Sequence, residues 1–119
     1  MMNENNPIHI KSYALALRIV QLYKYLINEK KEFILSKQVL RSGTSVGALI
    51  KESEHAQSKA DFIHKMNIAL KEANETVYWL ELLKDSEYIE EDIFNSIQTD
   101  ATEVLKILIS IVKTSKQNK

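Results

Sequence analysis

The chain predicts an all-α protein, an up-down-up-down antiparallel four-helix bundle, and three observations carry that prediction. Only two glycines and one proline occur in 119 residues, so few positions break a helix, while Leu, Ile, Lys, Glu and Ala dominate. Four separate stretches repeat apolar residues with alternating four- and three-residue spacing, the pattern of a helix that packs along one seam. The connections between them are short and polar, which turns each helix back against the one before.

Length and composition bound the rest. A chain of this size fits one domain spanning residues 1–119 and can bury a real core without metal or disulfide staples. With no cysteine there is no disulfide framework and no thiolate chemistry, which suits a reducing cytoplasm. Sixteen basic and sixteen acidic residues cancel, so neither nucleic acid nor an anionic membrane is attracted at long range, and either partner would need a local patch.

Residues 1–10 read as a polar, frayed lead-in rather than a signal peptide, and no apolar run reaches a membrane span, because Arg18 and Lys24 interrupt the first candidate. Helix 1 is predicted over 12–28. Leu15, Ile19, Leu22 and Leu26 form one stripe and Ala16, Val20, Tyr23 and Ile27 a second beside it, together covering roughly 160° of the circumference. That is wider than one core requires, so something besides the core should cover the excess. After the connection NEKKEF, Ser36 is the expected N-cap of helix 2, with Leu35 and Leu40 as its hydrophobic staple, and the helix runs over 37–56.

Helix 2 carries both glycines and two unlike faces. Val39, Gly43, Val46 and Ile50 lie within about 60° of one another, with Leu40 and Gly47 beside them, while Arg41, Ser45, Ala48 and Glu52 form a nearly opposite stripe. The Gly43-to-Gly47 spacing reads as close helix packing in a soluble protein. Ser58 with Asp61 starts helix 3, predicted over 59–84, whose seam runs Phe62, Met66, Ala69, Ala73, Thr76, Leu80 and Leu83. Near its end Tyr78, Trp79 and Leu82 fall outside the core arc. Helix 4, predicted over 90–113, repeats the seam through Phe94, Ile97, Ala101, Val104, Leu108 and Ile111, with acids in its first turn and Lys113 in its last. Residues 114–119 read as a solvated tail.

Chemistry is sparse. Glu52 and His55 have the E-x-x-H spacing of a di-iron bundle ligand pair, yet no second such pair exists and both sit away from the apolar face of helix 2. His9 and His64 read as isolated surface residues, and no serine has the setting of an activated nucleophile. The sequence therefore predicts no catalytic residue, no cofactor and no metal ligand, and a metal-dependent enzyme is the distant alternative. Lys11, Arg18, Lys24, Lys30 and Lys31 outnumber three acids before Leu35, whereas four lysines face seven acids after Lys84. Such polarity could offer a basic patch to RNA, or dock one subunit's basic end on another's acidic end.

The pairing of QVLRSGTSVGALIKE (Gln38 to Glu52) with SKADFIHKMNIALKEANETVYWLELL (Ser58 to Leu83) resembles the bacterial four-helix-bundle family typified by proteins encoded in 23S ribosomal RNA intervening sequences. The accessory variability protein of diversity-generating retroelements looks like a relative. The family's helix 2 and helix 3 pattern falls on Arg41, Ser45, Ile50 and Glu52, then on Phe62, Ile68, Ala69 and Glu75. Leu49 stands where the family usually has asparagine, and no role for that amide carries over. The resemblance implies a homo-oligomer, typically a pentameric ring, without established catalytic activity; in the retroelement relatives the ring is a basic scaffold for reverse transcriptase and nucleic acid.

Two expectations about surfaces follow. Arg41, Ser45, Glu52 and Glu75 should act structurally, joining helices or subunits through charge-assisted hydrogen bonds. Tyr78, Trp79, Leu82 and the excess apolar surface of helix 1 should lie in an interface between copies, of the roughly 1,000 Å² or more that stable association needs. The partners so predicted are the chain itself and, alternatively, RNA or a nucleic-acid enzyme, with no membrane and a cytoplasmic setting.

Overall fold

A computed structural model describes residues 6–117. Four helices follow in order: α1 Pro7–Asn28, α2 Leu35–Ser53, α3 Lys59–Asp85 and α4 Glu91–Gln117, and there is no strand among the described residues. Each helix packs on its neighbours in the chain, α1 also meets α4, and the diagonal pairs stay apart. The result is a four-cornered bundle of 47 × 23 × 20 Å. The seams read from the sequence fill its middle: Leu15, Ile19, Leu22 and Leu26 from α1, Val39, Val46 and Ile50 from α2, the α3 row, and Phe94, Ile97, Ala101, Val104 and Leu108 from α4 are buried, while at the end of α4 Val112 takes the buried place expected of Ile111, which is half-buried.

The helix ends differ from expectation in instructive ways. Helix 1 begins at Pro7 instead of residue 12, because the Asn6 side chain accepts the Ile8 N–H at 3.2 Å and proline is preorganised for the first helical position. Ile8 is thereby fully buried, so residues 7–10 are no frayed tail; residues 1–5 lie outside the described residues. Helix 4 continues to Gln117 rather than stopping at 113, which makes most of the supposed tail helical; 118 and 119 again lie outside the described residues. Helix 2 stops at Ser53, whose buried hydroxyl lies 2.6 Å from the Ile50 carbonyl oxygen, and His55 falls in the turn beyond.

Ser36 is not the N-cap of helix 2. Its hydroxyl is buried without a hydrogen-bond partner, and the cap is supplied by Glu32, four residues earlier. One Glu32 carboxylate oxygen accepts the N–H groups of Ile34 (3.2 Å) and Leu35 (3.1 Å), the other that of Ser36 (2.7 Å). A single acid thus satisfies three donors that open a helix otherwise without a side-chain cap. Burial by itself pushes the Glu32 carboxyl up, but the backbone N–H groups of Leu35, Ser36 and Ile34 outweigh it and hold it below the ordinary carboxylate value.

Both glycines are spent inside α2, so the turns go without. Lys31 (φ 54°) and Glu87 (φ 67°) adopt the left-handed conformation in their place. At Glu87 the α3 end closes by the paired bonds Tyr88 N–H to Leu83 O and Glu87 N–H to Lys84 O, each 2.9 Å, which is a Schellman motif with glutamate at the position glycine usually holds. Gly43 meets α1: a Cβ built there would stand 2.8 Å from two carbons of Ile19, whereas one at Gly47 would reach Ser12 no closer than 3.6 Å.

Two predictions test this frame. Gly43→Ala should lower unfolding free energy by about 1–2 kcal/mol, overpacking against Ile19 outweighing the helix propensity gained, while Gly47→Ala should be neutral or stabilising by up to about 1 kcal/mol; paired urea melts decide. Glu32→Ala should cost about 1–2 kcal/mol at neutral pH. Since the folded carboxyl titrates below its unfolded value, the stabilisation it brings is present above the unfolded value and is lost as pH falls through the lowered one. Melts from about pH 5 downward should therefore converge for wild type and Glu32→Gln.

Candidate interaction surface

One member of the polar stripe of α2, Arg41, borders the groove with α3. Arg41 reaches across that groove with Nη1 on Glu72 Oε1 at 3.1 Å and Nη2 on Glu75 Oε2. The same Glu75 oxygen accepts the Trp79 indole N–H at 2.9 Å. The guanidinium is half exposed, and the neighbouring Glu72 carboxylate, against some desolvation and with help from Glu75, raises its already high pKa. Directly beneath this bridge the buried Ser42 and Thr76 hydroxyl oxygens lie 3.0 Å apart, Thr76 also 2.8 Å from the Glu72 carbonyl. Arg41 and Glu75 therefore join two helices of one chain. Ser45 bonds the Arg41 carbonyl of its own helix at 2.6 Å, and the side chain of Glu52 stands exposed with no hydrogen bond or ion pair among the described residues.

Leu49, at the position where the resemblance places asparagine, is half-buried against the core. The three residues singled out near the end of α3 part company. Trp79 is half-buried against the core with its N–H already paired, Leu82 is half-buried, and only Tyr78 stands mostly in solvent, edge-on to Trp79 with ring centroids 5.0 Å apart.

Helix 1 departs from its predicted surface too. The second stripe, Ala16, Val20, Tyr23 and Ile27, is half-buried by the bundle itself. The surface left over belongs to a third row, Ile10, Tyr13 and Leu17, each more than half exposed. Their i, i+3, i+7 spacing was visible in the sequence but was masked by the two stronger stripes. Ile10 and Tyr13 wall a trough of about 710 Å³ between α1 and α2, floored by Ala16, Gly47 and Ala48. Small side chains at those three positions leave the trough open.

Two basic residues of α1 pair within the chain. Arg18 donates to Asp100 at 2.8 Å and to the Ser96 carbonyl at 3.1 Å, and Lys11 pairs with Glu103 at 2.8 Å. Lys11 and Arg18 thus meet acids of α4 in their own bundle, while Lys24, Lys30 and Lys31 have no ion pair among the described residues. His9 is not isolated: its Nε2 lies 3.1 Å from Glu54 Oε1, off the line of a good hydrogen bond, and both atoms are buried. With His55 outside α2, the Glu52–His55 spacing no longer puts two ligands on one helix. Among the described residues no group of three or more His, Cys, Asp or Glu could hold a metal ion and no helix is long and apolar enough to cross a membrane.

The Arg41 bridge makes its own prediction. A double-mutant cycle with Arg41→Ala and Glu75→Ala should give a coupling of about 0.5–1 kcal/mol that shrinks in high salt, since the pair is solvent-screened. Emission from Trp79, the sole tryptophan, should shift when either partner is removed.

Similarity to known proteins agrees with this architecture. A crystal structure of a protein of unknown function from the S23 ribosomal protein family of Bacteroides thetaiotaomicron VPI-5482, at 1.70 Å resolution, superposes with a TM-score of 0.88. It is 63% identical, over 89% of this chain and 98% of that one. No curated protein matches significantly. The model of the 23S rRNA-intervening sequence protein family matches residues 4–110, and the chain belongs to that family.

Proposed function

We propose that this protein is a non-enzymatic helical scaffold that works by assembling with copies of itself, a ring of five being what the family resemblance implies. One observation carries the reading: the exposed row Ile10, Tyr13 and Leu17 beside an apolar trough of about 710 Å³ on the α1–α2 side. A continuous apolar face of this kind on a bundle whose own core is already filled is stabilised by a partner surface. The polar residues give no competing site, since Arg41, Glu72, Glu75 and Trp79 satisfy one another.

A second reading, association with RNA, is supported by the family's name and by the exposed Lys24, Lys31 and Lys37 toward the α1–α2 connection. Phosphate contacts of this sort weaken steeply with salt, so a gel shift with structured RNA at two salt concentrations separates it from the first.

Light scattering on a sizing column at micromolar concentration should give a mass several times 13.7 kDa. Tyr13→Asp combined with Leu17→Asp should reduce it to one chain without lowering helicity. A monomeric wild-type protein would overturn the scaffold reading.

A further inference from the structure

The trough between α1 and α2 is held open by small residues, Ala16 from α1 and Gly47 and Ala48 from α2. The packing of the bundle itself does not require all of them. Gly43 is required, since a Cβ there would stand 2.8 Å from Ile19, but at Gly47 the nearest atom would be 3.6 Å away, an ordinary van der Waals contact that an alanine could make. Glycine inside a helix is otherwise unfavourable, and Ala48 is exposed, where a longer side chain is also accommodated. Small side chains at these two positions keep a space that a single chain leaves unfilled.

A projection of matching size stands beside it. Ile10, Tyr13 and Leu17, each more than half exposed, follow the spacing of one helix face. Ile10 and Tyr13 form the ridge: one flank closes the trough, and the other, continued by Leu17, faces away from it. The row from Ile10 to Leu17 and the α2 wall from Thr44 to Lys51 are each two turns long, about 10.5 Å. They also lie at one height on the bundle, because residues 9–16 of α1 line the trough and residues 10–17 carry the row. Charge is kept to the margins. Lys11 and Arg18, which border the row, are turned to Glu103 and Asp100 of α4, and His9 and Lys51 close one end of the trough beside Glu54. The Ser12 and Thr44 hydroxyls already donate to the carbonyls of His9 and Leu40, so covering the trough leaves them satisfied.

We infer that the row Ile10, Tyr13 and Leu17 of one copy seats in the α1–α2 trough of the next, against the floor made by Gly47 and Ala48. This rests on the self-assembly reading and names its two surfaces. Row and trough are different surfaces, so each copy gives one and receives one. Because they lie at one height, neighbouring copies stand side by side without a step along the bundle axis, and a head-to-tail contact without a step closes into a ring where one with a step climbs into a filament. RNA is the weaker occupant: phosphates need cations, and the one lysine that lines the trough, Lys51, lies 3.9 Å from Glu54.

The test uses two full-length variants. Leu17→Asp spoils the row without altering a residue of the trough, and Ala48→Arg fills the trough from an exposed position. Light scattering across a dilution series reads assembly, with melting temperature as the fold control. Each variant alone should raise the concentration at which assembly is half complete about tenfold or more. Mixed in equal amounts they should recover a 1:1 pair, the row of the Ala48→Arg chain seated in the trough of the Leu17→Asp chain. If Ala48→Arg lowers the melting temperature, Ala48→Phe, which fills the trough by bulk alone, replaces it. Folded Ala48 variants that assemble like wild type, or a mixture that never recovers the pair, overturn the contact and leave self-assembly standing. A monomeric wild type ends both. A salt-dependent RNA shift that Ala48→Phe abolishes at unchanged mass also overturns the contact, by assigning the trough to nucleic acid.

Discussion

The absence of a side chain at Gly43 sets how close α1 lies to α2. With Ile19 filling the space a Cβ would take, the two helices meet nearer than two leucine-lined surfaces could. That approach fixes which way α2 is turned. Val39, Val46 and Ile50 point inward, Ser42 is buried toward Thr76, and Arg41 is carried round to α3. At Gly47 the fit is looser, and the lower part of the same groove opens into the trough beside Ile10 and Tyr13. Core and surface are thus two outcomes of one helix pair.

Polar contacts divide the other grooves between them. Between α2 and α3 a buried hydroxyl pair sits under an exposed ionic bridge, so the contact is specified by hydrogen bonds and by size together. Between α1 and α4 the described polar contacts are exposed or half-exposed, Arg18 and Lys11 on α4 acids. Pairs of that kind contribute little energy, typically under about 1 kcal/mol each, but they discriminate between registers.

Much of this architecture was legible beforehand because the apolar periodicity is strong: four seams, the inward row of α2 and the Ser58 cap of α3, whose hydroxyl accepts the Asp61 N–H at 3.0 Å, all follow from spacing. The ends were harder. Asn6-Pro7 is a start signal that a polar, short lead-in concealed, and Glu32 caps from outside the residues where a cap is usually sought. Burial of the second α1 stripe depends on how closely α2 approaches, which no single helix encodes, so the exposed row moved to Ile10, Tyr13 and Leu17. Arg41, Glu52 and Glu75 shared one pattern in the sequence, yet only the first and last find each other, because Glu52 lies about three turns further along α2, beyond the reach of the Arg41 bridge.

Every helix of the bundle packs on the one that precedes it in the chain, and α1 with α4 is the one contact that joins distant parts of the sequence. Ordering of this kind keeps the chain distance between touching residues short, which favours rapid folding. During synthesis it has a further meaning. The α1–α2 pair can close around Gly43 before α3 has emerged, whereas Arg41 waits for Glu72 and Glu75 on α3, and the apolar seams of all three helices stay open to water until α4 covers them. Only the groove that α4 completes stays open until the last residues emerge.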